Sequence, residues 1–176
     1  MKNLSKALLL VTPKKDTRQY LNGARFAADG LSVEATDGHI VLHITLEDAV
    51  HPDLRGSIIC NSTLKALVGS KTMLKPSDCS VSALASIGIC PKFLEGRFPD
   101  TSRIADFTAY FNTFKHWGHP NGFNPQHLVS AVKVIQLMVD GAIVACTMRQ
   151  HEHGSDANIY IQHGCVRVVI ASHRNR

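Results

Sequence analysis

Apolar and polar positions alternate with two different periods along this chain, and the switches between them mark out three similar stretches. Leu4, Ala7, Leu8 and Val11 recur at helical spacing, which predicts a short first helix capped by Asn3 and stopped by Pro13. Partial period-2 alternation over 18–27, 30–36 and 39–46 then predicts three strands. Between the second and third lies Glu34-Ala35-Thr36-Asp37-Gly38-His39, which has the makings of a tight hairpin turn. Its Asp-Gly pair supplies a positive φ, and the side-chain oxygens of Thr36 and Asp37 can fold onto nearby backbone N–H groups. A strand over 56–60, a capped helix over 61–68 and short strands within 72–74, 79–84 and 87–94 follow. A third stretch opens at Gly122-Phe123-Asn124-Pro125, a strand end and cap, and continues as a helix to 135 with Pro125 at its start. Strands over 142–147, 158–161 and 166–171 complete it. The pattern of strand, helix and about three strands, repeated, predicts an α+β chain of three βαβββ-like units, the first starting at its helix. Helices should lie on one face of antiparallel sheets.

Three motifs in this order carry a resemblance. Arg18-Gln19-Tyr20-Leu21-Asn22-Gly23 precedes the turn, and Leu94-Glu95-Gly96-Arg97-Phe98-Pro99-Asp100 follows it at about one half-domain's distance. The order and spacing resemble the middle domain of the bacterial sliding clamp, the β subunit of DNA polymerase III, where R-Y-L-N-G, A-T-D-G-H-R and E/D-G-R-F-P-D succeed one another. The match covers residues 14–104. More loosely, 122–174 resembles the second half of the clamp's C-terminal domain, where a G-F-N-x-x-Y-L helix start leads to strands ending in V-V-M-P-M-R. The resemblance implies a DNA clamp fold with a complete clamp-like domain over 1–106, an aromatic connector over 107–121 and half a domain over 122–176.

It also implies a function. Clamps encircle duplex DNA without reading its sequence, tether polymerases and other clamp-binding-motif proteins, and are placed on DNA by an ATP-driven clamp loader; the clamp itself is no enzyme and needs no cofactor. Lys and Arg facing phosphates suit a surface that must slide on any sequence. Lys2, Lys6, Lys65 and Lys133 on the three helices are the DNA-facing candidates. The stretches 2–11, 61–68 and 126–136 contain no Asp or Glu, whereas ordinary surface helices mix both signs. By position in the motifs, the hydrophobic peptide-binding cleft would comprise Arg18, Leu21, Thr36, Gly38, His39, Pro99, Arg103, Ile104, Val168, Val169 and Ile170. Residue types alone would make Leu21, Ile104, Val168 and Val169 simply core. Two departures bear on this cleft: Ile40 stands where the family usually has Arg, and Ala171-Ser172-His173-Arg174 replaces M-P-M-R. The family ring has twelve units, so three-unit chains would close one as a homotetramer, a symmetric assembly that leaves no sheet edge exposed. The other reading is a non-encircling clamp-like module that competes for clamp ligands or binds a cellular clamp. Length and divergence would suit a phage, plasmid or other mobile element.

Composition adds little to this. The chain has 176 residues, 44% of them hydrophobic, enough for a real core, and a formal charge of +5 that favours polyanions mildly. Its five cysteines include no C-x-x-C pair, and several sit in apolar runs, so they read as small hydrophobes of a reducing cytoplasm. The run Leu8-Leu9-Leu10-Val11 is too short for a signal peptide or a membrane span, which points to a cytoplasmic protein with no membrane partner. Among ten histidines, His116, His119, His151, His153 and His163, with Glu152 and Cys165, match no zinc spacing. Asp37 with His39 lacks the nucleophile or paired carboxylate that acid-base catalysis would need. Phe107, Tyr110, Phe111, Phe114 and Trp117 fall at helical spacing, as a buried amphipathic turn or an interface anchor would.

Overall fold

The computed structural model describes residues 1–101, 124–138, 147–150 and 158–171. Eight strands form one antiparallel sheet: β1 (Gly23–Phe26), β2 (Ser32–Thr36), β3 (Ile40–Thr45), β4 (Ile58–Cys60), β5 (Phe93–Leu94), β6 (Thr147–Gln150), β7 (Asn158–His163) and β8 (Val166–Ala171). Their order is β5-β4-β1-β2-β3-β8-β7-β6. The first unit is therefore central in the sheet, with the second on one flank and the third on the other. The decisive join is β3 to β8, where Ile40 faces Ile170, Leu42 faces Val168 and Ile44 faces Val166.

Alternation along each strand sorts the two faces. Ala24, Phe26, Val33, Ala35, Ile40, Leu42, Ile44, Val166, Val168 and Ile170 form one buried layer with residues of the helices. Helix α1 (Lys2–Leu9) contributes Leu4, Ala7 and Leu8, and α2 (Asn61–Gly69) contributes Leu64 and Leu67. A short α3 (Val81–Ser86) adds Leu84, and α4 (Pro125–Met138) adds Ala131, Val134 and Ile135. Helix α1 packs against both α2 and α4. Each fully buried Leu or Ile contributes about 1.5–3 kcal/mol relative to leaving it in water, so this single layer holds all three units together.

Several expectations change in detail. The first strand is shorter than 18–27 because residues 19–21 form a 3-10 turn, fixed from outside by Asn22. The Asn22 side chain accepts from the Asp16 N–H and donates to the Asp16 carbonyl, both at 2.8 Å. Residues 79–84 are not a strand: Ser80 caps α3 by accepting from the Ala83 N–H at 2.9 Å, and the Asp53 carboxylate accepts from the Val81 N–H at 2.9 Å. Residues 72–74 form no strand either, and of 87–94 only 93–94 pair. Asn3 lies inside α1 rather than capping it. The third helix begins as expected, with the Asn124 side chain accepting from the Gln126 N–H at 2.9 Å. Residues 107–117 lie outside the described residues.

Gly23 ends the first motif for a steric reason. A Cβ there would stand 2.3 Å from the Ile59 carbonyl oxygen on the neighbouring strand. Gly23→Ala is expected to destabilise the fold by about 1–3 kcal/mol through forced separation of β1 and β4, measured as a lowered midpoint in urea unfolding.

Candidate functional site

The turn at 37–40 is built as its composition dictates. Gly38 adopts φ +95°, its N–H donates to Thr36 Oγ1 at 3.0 Å, and Asp37 Oδ1 accepts from the N–H groups of His39 (2.8 Å) and Ile40 (2.9 Å). Arg18 lies over this turn. Its guanidinium would be 3.2 Å from a Cβ on residue 38, so glycine supplies both the left-handed backbone and the space. Asp16 holds Arg18 in place with bonds of 2.9 and 3.0 Å to its guanidinium, and those bonds bring the Asp16 carboxyl down to about 2.

On the other side of the turn stands a residue that motif reading passed over. His127, in the first turn of α4, stacks on His39 with ring centroids 6.1 Å apart and planes at 17°. Its Nε2 is 3.3 Å from Asp37 Oδ2. The first and third units thus meet through Asp37, His39 and His127 as well as through β3 and β8. The signal was present in the sequence: His127 occupies the aromatic position of the G-F-N-x-x-Y-L pattern.

Directly opposed residues of antiparallel strands share a face, so the register defines rows across the sheet's outer side. One row runs Arg25, Glu34, His43, Arg167 and Gln162. Glu34, 5% exposed, is its anchor: it accepts from Arg25 at 2.6 and 3.0 Å and from Thr101 Oγ1 at 2.5 Å, with His43 Nδ1 at 3.3 Å. Burial pushes the Glu34 carboxyl up, but the hydrogen bonds from His43 and Thr101 and the charge of Arg25 outweigh it and hold the group below its ordinary value. Phe98 lies under the Arg25 guanidinium, 5.5 Å from it, and Gly96 abuts Tyr20. These contacts tie the third motif to the first and second. Arg25, Glu34 and His43 were not among the expected site residues.

The neighbouring row on the same face runs Thr36, Val41, Val169 and Tyr160. Val41, half-buried and unanticipated, therefore sits between two expected cleft residues. The expected cleft is not one continuous surface. Arg18, Gly38, His39 and Pro99 are exposed, whereas Thr36 and Val169 are buried on the outer face and Leu21 is fully buried. Val168 and Ile170 point to the opposite, helix-covered side and belong to the core, because strand alternation separates them from Val169. Arg103 and Ile104 lie outside the described residues.

The lysines divide similarly. Lys6 and Lys133 come together at one cavity between α1, α2 and α4, Lys65 is exposed on α2, and Lys2 is half-buried at the start of α1. Among the described residues no three His, Cys, Asp or Glu side chains group as metal ligands; His116, His119, His151 and His153 fall outside them. The described cysteines, Cys60, Cys79, Cys90 and Cys165, are free. Burial pushes the Cys79 thiol up to about 11, whereas Cys90, at the end of the apolar run 87–89, is exposed. No described helix is long and apolar enough to cross a membrane.

Comparison with known proteins gives a sharply divided result. No protein-family model and no curated protein matches the sequence. Solved structures do. The DNA polymerase III subunit beta from Pseudomonas aeruginosa aligns with 98% of this chain and 64% of its own, at 16% identity and TM-score 0.61. The DNA polymerase sliding clamp from Bacillus subtilis gives 99%, 62%, 14% and 0.59 on the same measures. The Helicobacter pylori beta clamp, solved with a DNA ligase peptide, gives 96%, 62%, 12% and 0.62. The chain has the sliding-clamp fold and spans less than two thirds of the length of these clamps.

Because the folded Glu34 carboxyl lies below its ordinary value of 4.5, its stabilising contribution is present above that pH and is lost as pH falls through the lowered value. Glu34→Gln should cost about 1–3 kcal/mol at pH 7, moderated by the partial exposure of Arg25. The same variant should show a shallower fall in stability between about pH 5 and 3, read from urea midpoints across that range.

Proposed function

We propose that this chain is a sliding-clamp-type processivity factor, a non-enzymatic protein that encircles duplex DNA as a homo-oligomeric ring and tethers client proteins to it. The observation that carries the reading is the sliding-clamp fold together with three helices on one side of the sheet whose sequences contain lysines and no carboxylate. Lys2, Lys6, Lys65 and Lys133 supply the phosphate-facing charge, and the interaction is independent of base sequence and weakens with salt. The chain divides into a clamp-like domain over 1–106, a connector over 107–121 and a half-domain over 122–176. On the arithmetic of twelve units, the ring is a tetramer.

Clients reach it through the outer surface beside the 37–40 turn. Arg18, Gly38, His39 and Pro99 form the accessible part, with Val41 and Val169 as the apolar floor beneath. The Helicobacter pylori clamp's complex with a DNA ligase peptide supports a short linear peptide as the ligand class. Polymerases and other clamp-binding-motif proteins are the partners this implies, with a clamp loader to open the ring, in the cytoplasm of a cell or under the control of a mobile element.

Topology separates this reading from a non-encircling module. Protein assembled on nicked circular DNA, by a loader or by spontaneous opening, should remain bound through gel filtration in high salt and be lost after linearisation. Retention equal on circular and linear DNA, or none on either, would favour the module that competes for clamp ligands. Charge reversal at Lys2, Lys6, Lys65 and Lys133 together should lower direct binding to duplex DNA at low salt about tenfold or more while leaving the unfolding free energy within about 1 kcal/mol of the parent.

A further inference from the structure

The cavity between the three helices has a chemistry of its own. It is about 460 Å³, within the range of small-molecule sites, and its walls are Leu9 at the end of α1, Leu10 just after it, Val68 of α2 and Leu137 of α4. Leu9, Leu10 and Leu137 are only half-buried, so their apolar surface remains accessible there. Among the described residues, the polar side chains lining this cavity are those of Lys6, Lys133 and Gln136, and none is a carboxylate. Two cations beside an aliphatic hollow complement one kind of occupant, a molecule with an aliphatic body and a single anionic head. A phosphate backbone satisfies the lysines but leaves the leucines wet; a neutral hydrocarbon covers the leucines and leaves the lysines without a partner.

We propose that this cavity is a binding site for a free aliphatic carboxylate, its chain between Leu9, Leu10, Val68 and Leu137 and its head group paired with Lys6 and Lys133. Those lysines are also two of the four assigned to DNA in the proposed function, so an occupied cavity opposes DNA binding. That consequence rests on the proposed function; the site itself does not.

The test is calorimetric titration of the full chain with decanoate below its micellar concentration. Saturable binding of one decanoate per chain is expected, weakened about tenfold by Lys133→Glu and again when methyl decanoate replaces the acid. Val68→Phe should fill the cavity and abolish binding in a protein that still unfolds cooperatively; if that variant fails to fold, Lys6→Gln and Lys133→Gln at the rim carry the same expectation. Absence of saturable binding to the folded parent, or binding indifferent to the rim and wall substitutions, would overturn the site. So would binding to phosphatidylglycerol vesicles without binding to free decanoate. Decanoate should lower the chain's direct, salt-sensitive binding to a fluorescent duplex at low salt. Decanoate binding by a chain that is not retained on nicked circular DNA would uphold the site and remove the proposed function.

Discussion

Everything in this molecule depends on the ladder between β3 and β8. It joins residues about 125 positions apart in sequence into neighbouring strands, and it makes a single sheet out of the first and third units. The cost of closing so long a loop is offset by the aliphatic layer behind the ladder, where Ile40, Leu42 and Ile44 meet Ile170, Val168 and Val166. Helix α1 reinforces the join from the helix side by packing against α2 and α4 together. At the turn that leads into β3, Asp37, His39 and His127 do the same through ring stacking and a polar contact.

This arrangement explains why the motifs stand where they do. Each of the three segments at 18–23, 34–39 and 94–100, the last together with the Thr101 that follows it, makes a contact that depends on its own residue types. Gly23 lets β1 approach β4, Gly38 makes room for Arg18, and Phe98 and Thr101 hold Arg25 and Glu34. The segments are thus structural before they are functional.

The parts of the fold legible in the sequence were those with recurrent apolar spacing, even where partial: α1, α2, α4 and the strands β2, β3, β7 and β8. The turn was legible to the atom, since Asp37 and Thr36 make the bonds their side chains offer. The second unit was misread because short apolar runs do not distinguish strand from helix, and Ser80 with Asp53 settles 81–86 as helix. Motif matching placed Val168 and Ile170 in a cleft although alternation sends them to the core on the far side of Val169. It also missed His127, although that residue holds the aromatic position of the G-F-N-x-x-Y-L pattern, and Val41, which enters the site through strand pairing rather than through a motif. The paired lysines Lys6 and Lys133 could be named from sequence, but the apolar cavity between them could not, since its walls come from three helices.

The central claim is that chains of this fold assemble into a closed ring, and the solution mass by light scattering across a concentration series tests it most directly. A concentration-independent mass of four chains is the predicted result and accounts for twelve units. A stable mass of one chain at micromolar concentration would contradict it, leaving the clamp fold without an encircling mechanism.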